Sequence, residues 1–194
     1  KDIFNYRTIE RLFDGVLSKS IAIQQEIKTE IGILNGIVPL LPIQEWFFAN
    51  NFAVQNHWNQ SFIIKTPRLD TERLKECIKT LVKQHDGFKL RYKQNPASIE
   101  QYYCQDVVDI ELKTLDISTT TDDGAAILTS WQSEFNLESG PVYNIGYIYG
   151  YPDGSARVHF ALHHLIVDAV SWRILTDDLE ELYAGKELAT KGTS

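Results

Sequence analysis

The sequence has no methionine, and only two cysteines, Cys77 and Cys104, in 194 residues. Two thiols are too few for the disulfide framework of a secreted domain, so a reducing, cytoplasmic setting is expected. A chain that opens on Lys1 without any methionine reads as a piece of a longer polypeptide. Positive charge is also scarce: 19 Lys and Arg stand against 26 Asp and Glu, a net charge of −7 with no basic cluster, which argues against a nucleic-acid surface. Long apolar runs are missing. The densest stretches, Ile37–Ile43 and Val158–Val170, are broken by proline, histidine or Asp168, so no membrane span is expected. The N-terminus shows no signal-peptide pattern. There is no glycine-rich phosphate loop, no G-x-S-x-G nucleophile elbow, no internal repeat and no low-complexity tract.

What remains is 43% hydrophobic and 23% charged, enough to build a packed core without staples. Ile9, Leu12, Phe13, Val16 and Leu17 follow a helical period behind Thr8, a good N-cap. Residues 18–35 show no clear period and read as a linker. Ile37–Leu41 reads as a short strand, and Pro42 suits the first position of a helix over Ile43–Asn50. Trp58–Thr66 reads as a strand with Trp58, Phe62 and Ile64 on one face. Asp70 caps a helix whose stripe is Leu74, Cys77, Ile78, Leu81 and Val82, which makes Cys77 a core residue rather than a nucleophile. Phe88–Gln94, Ile99–Cys104 and Val107–Thr114 read as strands, and Ile127, Leu128, Trp131 and Phe135 mark a helix. Val142–Tyr149 and Ala156–Leu162 flank Tyr151-Pro152-Asp153-Gly154 as a hairpin, and a last helix carries Val170, Ile174, Leu175, Leu179, Leu182 and Tyr183. Strands and helices mix without strict alternation. The class expected is α+β, with helices covering one face of a mostly antiparallel sheet.

Chemistry concentrates in the segment His159–Trp172. On a strand, His163 and His164 point to opposite faces, so only one of them can serve a given cleft. Asp168 stands where the last helix begins and suits an N-cap near Ser171. A metal site does not fit: His159 and His163 share a face that His164 leaves, and no second cluster supplies ligands. Imidazole titrates near neutrality, so a general base is the favoured role. A carboxylate four residues on could orient that imidazole directly or hold the loop through a separate ion pair.

The segment His163-His164-Leu165-Ile166-Val167-Asp168 with Ser171 resembles the HHxxxDxxS signature of the condensation-domain superfamily of nonribosomal peptide synthetases. Val38-Pro39-Leu40-Leu41-Pro42-Ile43-Gln44 looks like that superfamily's opening motif, and His85-Asp86-Gly87-Phe88-Lys89-Leu90-Arg91-Tyr92 like its second. Trp58-Asn59-Gln60-Ser61 and Ser171-Trp172-Arg173-Ile174-Leu175 resemble the variants of epimerization domains, and Phe4-Asn5-Tyr6-Arg7-Thr8-Ile9 resembles the tail of a peptidyl carrier protein.

The resemblance implies a lobe like chloramphenicol acetyltransferase. It also implies abstraction and return of the α-proton of an aminoacyl or peptidyl thioester. His164 is then the expected base, with His163 and Asp168 supporting it, and Ser171 and Trp172 lining or bracing the substrate site. The family's Leu-Arg pair in the second motif is Phe88-Lys89 here, so Lys89 or Arg91 is expected to form the structural ion pair with Asp168. No cofactor is expected to be bound covalently or to need a metal; 4′-phosphopantetheine arrives on the carrier protein. The division expected is 1–18 carrier-protein helix, 19–36 linker, 37–185 N-terminal lobe of an epimerization domain and 186–194 tail. A C-terminal lobe and neighbouring synthetase domains are the implied partners, and the isolated chain is expected to be inactive. The other readings are a condensation domain, a non-catalytic carrier-docking lobe and a trimeric acyltransferase.

Overall fold

Thr8 caps the first helix as its position predicts: its hydroxyl accepts from the Arg11 N–H at 3.3 Å. Helix α1 (Ile9–Leu12) runs on into a π-helical turn, Phe13–Leu17. The structure, a computed structural model, describes residues 5, 8–17, 32–96, 98–105, 111–120 and 124–190. It divides into two units, Lys1–Ile31 with Gly192–Ser194, and Gly32–Lys191. Residues 18–31 of the linker expected over 18–35, the first residues of the strand expected at Val107–Thr114 and the last residues of the tail lie outside the described residues.

In the second unit the local signals largely give the elements. Pro42 opens α2 (Pro42–Ala49), and the Asp70 carboxylate caps α3 (Thr71–Gln84) by accepting from the Arg73 N–H at 2.7 Å. All five residues of the α3 stripe, Cys77 among them, are buried. Two further helices are α4 (Ala125–Ser133) and α5 (Ala169–Tyr183). Among the described residues no helix is long and apolar enough to cross a membrane.

The strands form two sheets. In the smaller, β1 (Gly36–Val38), β4 (Ser98–Tyr103) and β3 (Leu90–Asn95) lie in that order, all antiparallel. In the larger, the order is β2 (Asn59–Pro67), β7 (Ser155–His163), β6 (Tyr143–Tyr149), β5 (Lys113–Asp116), antiparallel except for the β5–β6 pair. The β6–β7 hairpin closes where expected: the Gly154 N–H donates to the Tyr151 carbonyl at 2.9 Å. Along β2, half-buried Gln60, Phe62, Ile64 and Thr66 alternate with exposed Ser61, Ile63 and Lys65. The α+β class holds.

Two expectations change. Phe88 and Lys89 are in a 3₁₀ turn, Asp86–Lys89, and the strand begins only at Leu90. The cause is a buried ion pair: Lys89 Nζ meets Asp86 Oδ1 at 2.7 Å across three residues, a reach that an extended chain does not give. The helices also cover both faces of the larger sheet. Leu74, Ile78 and Leu81 of α3 and Leu175 and Leu179 of α5 share a core with Ile145, Tyr147, Val158, Phe160 and Leu162. Trp131 of α4 packs on the other face, against Leu115 and Ile148.

Gly146 makes that second face possible. A Cβ there would overlap the Trp131 ring, so the indole can approach only because the backbone there is bare. Gly146→Ala should therefore cost about 1–3 kcal/mol through overpacking. A lowered urea midpoint with an unchanged m-value is the expected result, read from the same Trp131 emission.

Candidate active site

β7 ends at His163, and the ladder to β2 continues one step further, with the His164 N–H donating to the Trp58 carbonyl at 2.8 Å. The chain then turns through residues 164–166 into α5. This places the two histidines in opposite surroundings, as alternation requires.

His163 is fully buried. Its Nε2 lies 2.9 Å from the Gln55 carbonyl, which can only accept, so Nε2 carries the proton. Its Nδ1 accepts from the Leu165 N–H at 3.2 Å, and its ring stands edge-on to Phe47 with centroids 5.6 Å apart. Both nitrogens are engaged by the fold. Burial pushes its pKa down to about 4, partly countered by the Gln55 hydrogen bond.

His164 is exposed. Its Nδ1 lies 3.1 Å from the Val167 carbonyl, so here Nδ1 carries the proton and Nε2 is left with a lone pair. The adjacent rings are thus fixed as opposite tautomers. Nε2 lies 3.1 Å from Gln60 Nε2. Beside it opens a cleft of about 420 Å³ whose lining includes Leu41, Ile43, Trp46, Trp58, Leu165 and Ser171. Trp46 remains 51% exposed and Ile43 66%, so the wall beside the imidazole is apolar and open.

Asp168 caps α5: Oδ1 accepts from the Val170 N–H at 3.1 Å, the Ser171 N–H at 2.8 Å and the Ser171 hydroxyl at 2.7 Å. The Ser171 hydroxyl, and after it the Ser171 N–H, holds the carboxyl below the usual range. The ion pair expected with Lys89 or Arg91 is not formed. Lys89 is taken by Asp86 and by the Lys83 carbonyl at 3.2 Å, and the Arg91 guanidinium donates to the Phe88 and Leu90 carbonyls at 3.1 and 2.8 Å. Both cations are held within their own segment, while α5's first turn occupies Asp168. Asp168→Ala is therefore expected to cost about 1 kcal/mol, the worth of an N-cap. The larger loss that follows breaking a buried pair is about 3–5 kcal/mol. A chemical-denaturation curve separates the two.

Ser171 lines the cleft, and Trp172 does not. Its indole sits edge-on to Phe62, 4.5 Å between centroids, and its Nε1–H donates to Gln60 Oε1 at 3.0 Å. His159 is buried on the α4 side, 6.0 Å from the Trp131 ring, and does not converge with His164. No group of three or more metal-ligating side chains occurs among the described residues.

Three residues that support the site carried no role in the sequence reading. Buried Gln44 donates through Nε2 to the Leu165 carbonyl and to the Tyr92 hydroxyl, each at 3.1 Å, and Tyr92 donates to the same carbonyl at 3.3 Å. Together they fix the turn that follows the histidines. Gln60 is the third. The available signal was polarity: each glutamine sits within a run that otherwise reads as apolar and inward-facing.

The fold and this site define a known class. The model of the condensation domain family matches residues 34–194, and the chain belongs to that family, which acts on carrier-bound thioesters. The chain is 43% identical over 192 residues to N-(5-amino-5-carboxypentanoyl)-L-cysteinyl-D-valine synthase of Amycolatopsis lactamdurans, covering 98% of this chain and 5% of that protein. The synthase of the same name from Penicillium rubens is 39% identical over 198 residues, covering all of this chain and 5% of that protein. This chain thus spans a twentieth of the length of these relatives. Among solved structures, the epimerization domain from the third module of tyrocidine synthetase B superposes with a TM-score of 0.78 at 32% identity, covering 86% of this chain and 39% of that one. The starter condensation domain of rhizomide synthetase shares the fold, with a TM-score of 0.67 at 15% identity over 81% of this chain and 41% of that one.

Proposed function

We propose that residues 37–185 are the N-terminal lobe of an epimerization domain, inverting the α-carbon of an aminoacyl or peptidyl thioester held by a peptidyl carrier protein. The observation that carries this reading is the placement of His164: an exposed imidazole that lines an apolar cleft, with Nδ1–H donating to the Val167 carbonyl and Nε2 meeting the Gln60 amide. An α-proton next to a thioester carbonyl is weakly acidic. Its removal needs a positioned base of near-neutral basicity and little competing water. Supporting the epimerase over the condensation reading, the relatives at 39% and 43% identity are named for a product that contains D-valine. The epimerization domain among the solved structures is also 32% identical to this chain, against 15% for the starter condensation domain. In this reading residues 1–18 are the last helix of the preceding carrier protein, and the phosphopantetheine arm brings the substrate to the cleft. Ser171 lines the site, while His163 and Asp168 hold it in shape.

The test uses the parent synthetase with an α-deuterated L-aminoacyl thioester on the carrier. Loss of deuterium together with D-amino acid after hydrolysis supports inversion. Peptide-bond formation without deuterium loss assigns the site to condensation instead.

A further inference from the structure

Gln60 stands between two rings that leave its amide one orientation. The indole Nε1–H of Trp172 can only donate, so the Gln60 atom facing it at 3.0 Å is the carbonyl oxygen. The amide nitrogen then faces His164 Nε2 at 3.1 Å, and an NH₂ group can only donate. His164 must therefore present a lone pair at Nε2, which agrees with Nδ1–H donating to the Val167 carbonyl at 3.1 Å. Every donor in this chain of three hydrogen bonds meets an acceptor. Turning the Gln60 amide over would set its NH₂ against the indole N–H and its oxygen against the His164 lone pair, two repulsive contacts at once. The indole is itself held by its edge-on packing on Phe62, whose ring stacks on Phe160 at 5.0 Å.

We infer that Gln60 is a positioning residue for His164: in the resting site its N–H donates into the Nε2 lone pair and so fixes the tautomer. The substrate must displace that N–H before Nε2 takes an α-proton. Trp172 acts on the imidazole only through Gln60, by locking the amide orientation. The inference rests on the reading of His164 as the base, and it gives Trp172 a role other than substrate contact. Both residues come from elements flanking the ring, Gln60 from β2 and Trp172 from α5. Without the lock, the amide can present its oxygen to Nε2. That arrangement suits a ring already carrying a proton there, which is the wrong state for removing another.

The first measurement needs no substrate. In the chain labelled with ¹⁵N at glutamine and histidine, a scalar coupling across the N–H···N hydrogen bond is expected between Gln60 Nε2 and His164 Nε2. The His164 nitrogen shifts should report Nδ1–H and bare Nε2. Trp172→Phe should abolish that coupling while His163 keeps its own Nε2–H signature. Should Trp172→Phe fail to fold, Gln60→Met, which keeps side-chain length and removes the amide, should shift the His164 Nε2 resonance and leave Nδ1 protonated. In the parent synthetase Gln60→Met should lower kcat by about 10–100-fold with KM little changed. Trp172→Phe should then add nothing in the Gln60→Met background, since both act on one contact. Absence of the coupling in the native chain, its survival in Trp172→Phe, or additive losses in the double variant would each overturn the inference. A native coupling in a synthetase that shows no α-deuterium loss would leave the lock standing and remove the epimerase reading.

Discussion

His164→Ala in the parent synthetase should lower α-deuterium loss from the carrier-bound thioester by at least about 10²–10⁴-fold, the usual worth of a general base. The folded state should be almost untouched, because the side chain is exposed and its removal opens no core cavity. His163→Ala should behave in the opposite way. It removes a fully buried ring packed on Phe47 and strands the Gln55 carbonyl, so the protein loses stability first and activity as a consequence. Pairing each rate with a melting curve decides the matter. Full exchange in His164→Ala, or normal stability with no exchange in His163→Ala, would reverse the roles assigned to the two rings.

Acid should weaken the fold before its carboxylates are reached. Burial pushes both His159 and His163 down to about 4. In the unfolded chain each takes up a proton near pH 6.5. Below that pH the unfolded state binds more protons than the native one, so stability is complete above pH 6.5 and falls as the pH drops toward 4. At about 1.4 kcal/mol per unit the loss is on the order of 3 kcal/mol for each ring. Asp153 and Asp168 are both held below the ordinary carboxylate range, so their contribution is lost only at lower pH still. Urea midpoints measured at pH 7 and 4.5 should therefore differ strongly, with His159→Gln removing part of the difference. Equal midpoints would show that the rings are not held neutral in the native state.

The features that the sequence reveals are those decided within a few residues. The α3 stripe and its Asp70 cap, the Pro42 start of α2 and the Tyr151–Gly154 turn each depend on neighbours along the chain, and each forms where the pattern places it. The separation of His163 from His164 is equally local, since a strand sends adjacent side chains to opposite faces. What the pattern misses is set by distant partners. The start of β3 moves because Lys89 and Asp86 prefer each other in a buried turn. The face covered by α4 depends on Trp131 meeting Gly146, a contact that hydrophobic period does not encode. The resemblance pairs Lys89 or Arg91 with Asp168, yet nearby carbonyls and Asp86 satisfy both cations first. The link from Trp172 to Gln60 joins residues 112 positions apart, and nothing in either neighbourhood announces the other.

The cleft also carries its own optical reporters. Trp46 and Trp58 both line it, each within ring contact of Phe52, whereas Trp131 is buried under α4. Any molecule that fills the cleft changes the solvent around the first two indoles, while Trp131 and Trp172, which do not line it, remain as the internal standard. Occupancy can then be followed by the colour of the emission alone: a blue shift on filling, with a quencher dissolved in the buffer losing its access to Trp46 and Trp58. Neither label nor turnover is needed.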